Sequence, residues 1–351
     1  MQCSGNVQLL FGFEARVRRL HEEMHDAYRR DDLVEAMRLG TAVLDEWAGD
    51  ADDVIIGCTH ATVGIAATRL EDLNAAVQHL ASATSPVHLE RSTFEPAHLC
   101  ALLALVDSKQ GRYGRVDNLL DEVVRRGDPA KVALAYRARA VLVWRSTGDA
   151  AAAGQLLEQS VLADPPAEPG LWWHDGIYRA SFLFDAGRHH EALMFGLPAI
   201  EQQRRCLTAV PEEDRAGYAD LGVSLTIVGR ASLADGDADT AELLFAESAP
   251  YLDGRWYGLA YLLLGRAELA LSRSDTADAH VQLDAAAEIA QALGLQPTMI
   301  ELARVRAAVV VAEGSPGDAA AILDAAEALA RSLGHAADLG HIAALRQELL
   351  V

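Results

Sequence analysis

Residues 128–166 read DPAKVALAYRARAVLVWRSTGDAAAAGQLLEQSVLADPP, and this stretch sets the grammar of the chain. Asp128 can cap a helix whose first position is Pro129, where the missing N–H costs nothing. The spacing predicts a helix from there to about Thr147. Gly148 can take the positive φ that ends it. Asp149 then caps a second helix running to about Ala163, and Pro165 and Pro166 stop it. One unit is therefore two helices about a tight turn.

The same turn recurs along the sequence. It opens on Gly or a polar residue and places a small residue five positions later. The instances are DDLVEA ending at Ala36, EDLNAA at Ala76, GRYGRV at Val116, GDAAAA at Ala153, GRHHEA at Ala192, GDADTA at Ala241, SDTADA at Ala279 and SPGDAA at Ala320. Successive steps are 40, 40, 37, 39, 49, 38 and 41 residues, a period that signals a solenoid of stacked units. The small residue suits a close helix crossing. Seven positions on stand Val43, Ala83, Val123, Ser160, Ala199, Ser248 and Ala286, which suit a second one. No strand-like alternation persists.

These residues carry a resemblance to the tetratricopeptide (TPR) repeat. Ala36, Ala76, Ala153, Ala192, Ala241 and Ala279 match that family's small residue at the start of helix B. Leu157 and Phe245 match its large residue four further on, Pro165 its terminal Pro, and Gly265 in LLLGRAELA part of its helix A. The period near 40 is longer than the standard repeat. In this the chain is similar to the long-helix arrays of MalT-type and antibiotic-regulator bacterial transcription regulators. The resemblance implies an all-α, right-handed solenoid of about eight helix pairs plus a C-terminal cap. It also implies a concave groove lined by helix A. The expected organisation is a lead-in at 1–12, an array at 13–334 with loops near 84–93, 164–170 and 207–214, and a capping helix at 335–351.

Composition agrees and excludes several classes. The chain has 351 residues and is 51% hydrophobic but only 6% aromatic, which favours alanine-rich packed helices over a β-sandwich. A mean hydropathy of +0.07 leaves enough apolar surface to exclude disorder over most of the length. The net charge of −21 argues against duplex DNA or an anionic membrane as a direct partner. Of the 30 bases only Lys109 and Lys131 are lysine, a bias expected of a GC-rich bacterial genome. Cys3, Cys58, Cys100 and Cys206 are too dispersed for a disulfide framework or a zinc knuckle, so free thiols in a cytoplasmic protein are expected. No stretch approaches the ~18 uncharged apolar residues of a membrane span. No phosphate loop, nucleophile elbow or dinucleotide fingerprint is present, no cofactor is indicated, and no basic helix-turn-helix is visible.

Three groups of residues are candidates for function. His21, Glu22 and His25 form an HExxH string, whose histidines share a helix face and whose Glu stands where a zinc hydrolase keeps its base. The sheet that normally backs this motif is missing. An apolar stripe of Phe13, Val17, Leu20, Met24 and Tyr28 on the same helix reads as ordinary core, so His21 and His25 are weak metal candidates. The second group is an Arg-Ala ladder in helix A of five successive units: Arg139, Arg179, Arg230, Arg266 and Arg306. Guanidinium forks suit carboxylates and phosphates; equally, such residues pair with Glu on neighbouring helices. The third is a clustering of scarce aromatics, Trp172, Trp173, Tyr178, Trp256 and Tyr257, residue types that anchor binding partners or fill cores.

The resulting expectation is a non-catalytic binding module that holds a peptide or protein segment with acidic groups in its groove, in bacterial regulation or assembly. Such a chain is free to form a homodimer. The alternative is a sensor array for a small-molecule anion or inducer, as the regulator resemblance implies. The remote alternative is the zinc hydrolase.

Overall fold

In the computed structural model, residues 4–46, 53–89, 94–165, 173–208 and 219–349 are described. They contain eighteen α-helices and no strand. The first seven are α1 Ser4–Arg29, α2 Leu33–Glu46, α3 Asp53–Arg69, α4 Leu73–Ala83, the short α5 Pro86–Leu89, α6 Pro96–Lys109 and α7 Val116–Arg126. Next come α8 Pro129–Thr147, α9 Ala150–Ala163, α10 Trp173–Asp185, α11 His189–Thr208, α12 Ala219–Ala234 and α13 Ala238–Ser248. The chain continues with α14 Trp256–Ser272, α15 Thr276–Leu293, α16 Gln296–Ala312, α17 Pro316–Leu333 and α18 Ala336–Leu349. Leaving α5 aside, these are eight consecutive pairs and one last helix, an all-α solenoid as the period implied. Among the described residues no helix is long and apolar enough to cross a membrane.

The turn that opens each B helix has one backbone signature. Gly111, Gly148, Gly187, Gly236 and Gly314 hold φ between 71° and 95°, and Asp31, Glu71 and Ser274 hold 64°, 59° and 61° in the equivalent place. A left-handed residue lets the helix A carbonyls bond back before the chain reverses. Five positions on, Ala36, Ala76, Val116, Ala153, Ala192, Ala241, Ala279 and Ala319 are all 0% exposed. The last of these corrects the sequence reading by one residue. Gly314, not Ser315, is the left-handed residue, so Ala319 rather than Ala320 enters the crossing. Asp72, Asp149, Asp237 and Asp275 cap α4, α9, α13 and α15 through their side chains. Asp318 does not cap: Ser315 occupies that place ahead of Pro316, and Asp318 lies inside the first turn of α17.

The described residues form two compact units. The first comprises Met1–Asp107 and Arg115–Lys131, the second Ser108–Gly114 and Val132–Val351. In unit 1, Met24, Ala27, Ala36, Leu39 and Val63 form the core between α1, α2 and α3. Gly40 permits the approach of α2 and α3, since a Cβ there would stand 2.2 Å from Val63 Cγ2. The lead-in expected at 1–12 joins α1 from Ser4 onward, and α5 occupies part of the expected loop at 84–93. In unit 2, α11 runs to Thr208 and so takes in the first residues of the third expected loop. Its length accounts for part of the 49-residue step.

Unit 2 curls until its two ends meet. Ala140 and Trp144 of α8, Ala153 and Leu157 of α9, Phe182 of α10 and Ala337 of α18 share one core cluster. The A helices α8, α10, α12, α14, α16 and α18 line the inside of this curl.

Candidate functional site

The inside of unit 2 is ionic. Arg145 of α8 donates to Glu301 of α16 at 3.0 Å and to Asp338 of α18 at 3.2 Å. Arg230 of α12 donates to the other Glu301 oxygen at 3.0 Å, and through a second fork to Glu268 of α14 at 2.8 Å. His335 Nδ1–H donates to Asp338 at 2.7 Å, and both are 0% exposed. Four A helices besides α16 therefore converge on one carboxylate or its immediate partners. Burial alone would push the Glu301 carboxyl up, but Arg230 and Arg145 hold it below its ordinary value. Burial acts the same way on Asp338, where the His335 hydrogen bond and Arg145 reverse it. Burial would lower Arg230 too, and Glu268 and Glu301 raise it instead. Paired and hydrogen-bonded in this way, charges are tolerated in a core that could not hold them singly.

Tyrosines extend this lining. Tyr257 and Tyr261 of α14 stand 5.3 Å apart by ring centroid, and Lys109 Nζ lies 4.1 Å over the Tyr257 ring. Tyr113 packs on His335 at 5.1 Å. Burial pushes the Tyr113 hydroxyl up to about 12 and holds Tyr257 and Tyr261 above their ordinary value, so all three stay neutral donors. Beside Arg230 the lining opens into a cleft of about 530 Å³. Leu233, Leu271, Val305 and Leu345 wall it, and the Arg230 guanidinium sits 5.0 Å over the Phe184 ring at its edge. Arg304 also faces the cleft. One of its terminal nitrogens donates to His341 Nδ1 at 3.3 Å, while its buried Nε has no acceptor among the described residues.

The residues singled out from sequence scatter. Arg230 and Tyr257 reach the inner lining. Arg179 instead turns toward α9, 3.5 Å from Glu158, and Arg306 pairs with Asp284 of α15 at 2.7 Å. Arg139 and Arg266 are half-buried. Trp173 packs on the Ile177–Leu221 core and Tyr178 on the Trp144–Phe182 core, while Trp256 is 50% exposed. Trp172 lies outside the described residues. His21 and His25 bring their Nε2 atoms to 3.2 Å, yet among the described residues no set of three His, Cys, Asp or Glu gathers as a metal site.

Arg145, Glu268, Glu301 and Asp338 were not anticipated. For Glu301 and Asp338 a signal exists in a second, polar stripe at helical spacing. Thr298 and Glu301 are three apart, Tyr257 and Tyr261 four apart, and Asp338 and His341 three apart, each beside the apolar stripe of its own A helix.

The fold is similar to that of the Rap protein complexed with competence and sporulation factor. The TM-score is 0.54 at 13% identity, covering 96% of this chain and 99% of that one. Lower scores relate it to an IFIT1 monomeric mutant with Gppp-AAAA (0.45 at 15% identity, 85% of this chain, 67% of that one) and to yeast Tom70 (0.32 at 10%, 95% and 96%). No family model and no curated protein sequence matches the chain. The recurring left-handed turn, the buried small residue five positions on and this architecture give the chain a TPR-like helical-repeat fold.

Proposed function

We propose that the chain is a non-catalytic binding module. Its inner cleft would hold a peptide or protein segment carrying an acidic group, in the setting of cytoplasmic bacterial regulation or assembly. The carrying observation is Arg304, whose buried Nε has no acceptor among the described residues, in a cleft that Leu233, Leu271, Val305 and Leu345 wall together with the already paired Arg230 and the carboxylates of Glu268, Glu301 and Glu348. A carboxylate placed there gains a charge-assisted hydrogen bond, and the apolar walls take its neighbouring side chains. Arg230 offers less, since Glu268 and Glu301 already occupy it. The Rap protein, similar in fold, is seen complexed with a factor, which supports a binding role of this general kind. A second reading, a sensor for a small anion, rests on the cleft volume, which falls in the range of small-molecule pockets.

The test is native mass spectrometry of protein purified from its own host, with Arg304→Glu and Leu345→Asp variants alongside. A peptide mass present on the wild-type protein and missing from both variants is the expected result. A non-peptide organic mass with the same dependence transfers the site to the sensor reading. Any bound mass indifferent to both substitutions, or a bare chain that also ignores acidic peptide arrays, removes the cleft as the site.

A further inference from the structure

A second groove lies between the B helices α9 and α11 and shares no lining residue with the inner cleft. Its volume is about 320 Å³. Phe182 and Leu183 of α10 form the apolar floor. Ala151 and Gly154 of α9 form one wall, and Phe195 of α11, 42% exposed, forms the other. Arg179 and Arg188 stand at its mouth.

The two arginines differ in what they have left to give. Arg188 forks onto Glu191 at 2.7 Å, a closed pair at the groove edge. Among the described residues Arg179 makes one ion pair, with Glu158 at 3.5 Å, where the glutamate is 67% exposed, and it also acts electrostatically on Asp175. Such a loose surface pair is easily exchanged for another carboxylate. The Arg179 guanidinium is also held 5.9 Å from the Phe195 ring centroid, so cation and aromatic face present themselves together. The lining carries two Arg against one Glu, in a chain whose net charge is −21. An acidic segment repelled by most of this surface is attracted here.

We propose that this groove docks an extended segment of a partner protein in which an acidic residue adjoins a large apolar one. The apolar side chain lies on Phe182 and Leu183 beside Phe195, and the carboxylate displaces Glu158 from Arg179. An extended segment needs only one anchored side chain and a charged neighbour to use such a groove. Gly154 keeps the wall open. A Cβ there would meet only Arg179 Nη1, at the ordinary contact distance of 3.8 Å.

That glycine supplies a clean test. Gly154→Leu adds a helix-favouring side chain without a backbone clash and fills the groove. Fluorescence anisotropy would use labelled hexapeptides with Asp or Glu beside Leu or Phe, and counterparts with Lys replacing the acid. The acidic series is expected to bind at least about tenfold tighter than the lysine series, and to lose about that factor in Gly154→Leu and in Arg179→Glu. Leu243→Arg, on the exposed face of α13, should change neither, and thermal melts should show all three variants folded. Equal binding of both series, no binding by either, or indifference to Gly154→Leu and Arg179→Glu would each overturn the proposal. So would displacement of the peptide by free acetate at equal concentration, which assigns the groove to a small anion. Concentration-dependent dimerisation abolished by Gly154→Leu would overturn it too, in favour of a second copy of the chain.

Discussion

Arg145 and Asp338 stand 193 residues apart in sequence and 3.2 Å apart in space. A linear solenoid makes contacts only between neighbouring units. Here the first and last A helices of unit 2 touch, and the contact is made by a half-buried arginine and a fully buried carboxylate.

Removing one member of this ionic lining leaves its partners charged and dry. Glu301→Gln keeps the shape but strips the shared charge from Arg145 and Arg230, and is expected to destabilise unit 2 by about 3–5 kcal/mol. Arg306→Ala, which removes only the half-exposed pair with Asp284, should cost about 1 kcal/mol or less. Urea unfolding of the two variants, followed by far-UV circular dichroism, compares them. Equal costs would mean that the buried lining is not what holds the curl.

The same closure bears on fraying. Terminal helices of open arrays exchange their amide hydrogens first. Because α18 is joined to α8 through Asp338 and Ala337, its amides should be protected about as well as those of α14. In Asp338→Asn they should exchange early while α14 stays protected, as hydrogen–deuterium exchange by mass spectrometry would show.

Histidines make unit 1 sensitive to acid. Burial, with His25 adding to it, lowers His21 from its ordinary 6.5 to about 4. Burial, with His79 and His88 adding to it, does the same for His60. The unfolded chain therefore binds more protons than the folded one between these values. The stability at stake is complete above about pH 6.5 and is lost as pH falls toward 4. A urea midpoint that declines through this window, and declines less in His21→Gln/His60→Gln, is expected. A flat midpoint in the wild-type protein contradicts it.

Three turns carry a side chain where the backbone favours glycine. Asp31, Glu71 and Ser274 hold the left-handed conformation that glycine holds in the other five units. That conformation costs a residue with a Cβ about 1–2 kcal/mol, and glycine's extra freedom in the unfolded chain returns part of it. Glu71→Gly and Ser274→Gly should each stabilise by about 0.5–1 kcal/mol, raising the melting temperature measured by calorimetry. A fall would show that the side chains support these turns by other contacts.

What the sequence disclosed follows from how local each rule is. The turn and its buried small residue span six positions, and eight copies make the pattern redundant, so helix pairs and crossings were readable down to single residues. The one slip, Ala320 for Ala319, arose because Gly314 and Ser315 both suit the start of a turn. The Arg ladder shows the opposite case. Whether Arg179, Arg230 or Arg306 waits for a ligand or pairs within the chain depends on Glu158, Glu268 with Glu301, and Asp284, which come from other helices. Arg145 was invisible for the same reason, since its partners Glu301 and Asp338 lie on helices that only the full curl brings near.

The contact between α8 and α18 also gives unit 2 a fixed count. Repeat arrays ordinarily evolve by gaining or losing whole units, because each new one needs only its neighbours. Here an inserted or deleted helix pair between α9 and α17 would carry Asp338 past Arg145 and break their pair. Unit 2 is thus closed to duplication, and the changes open to it lie in its loops and in the side chains that face its two grooves.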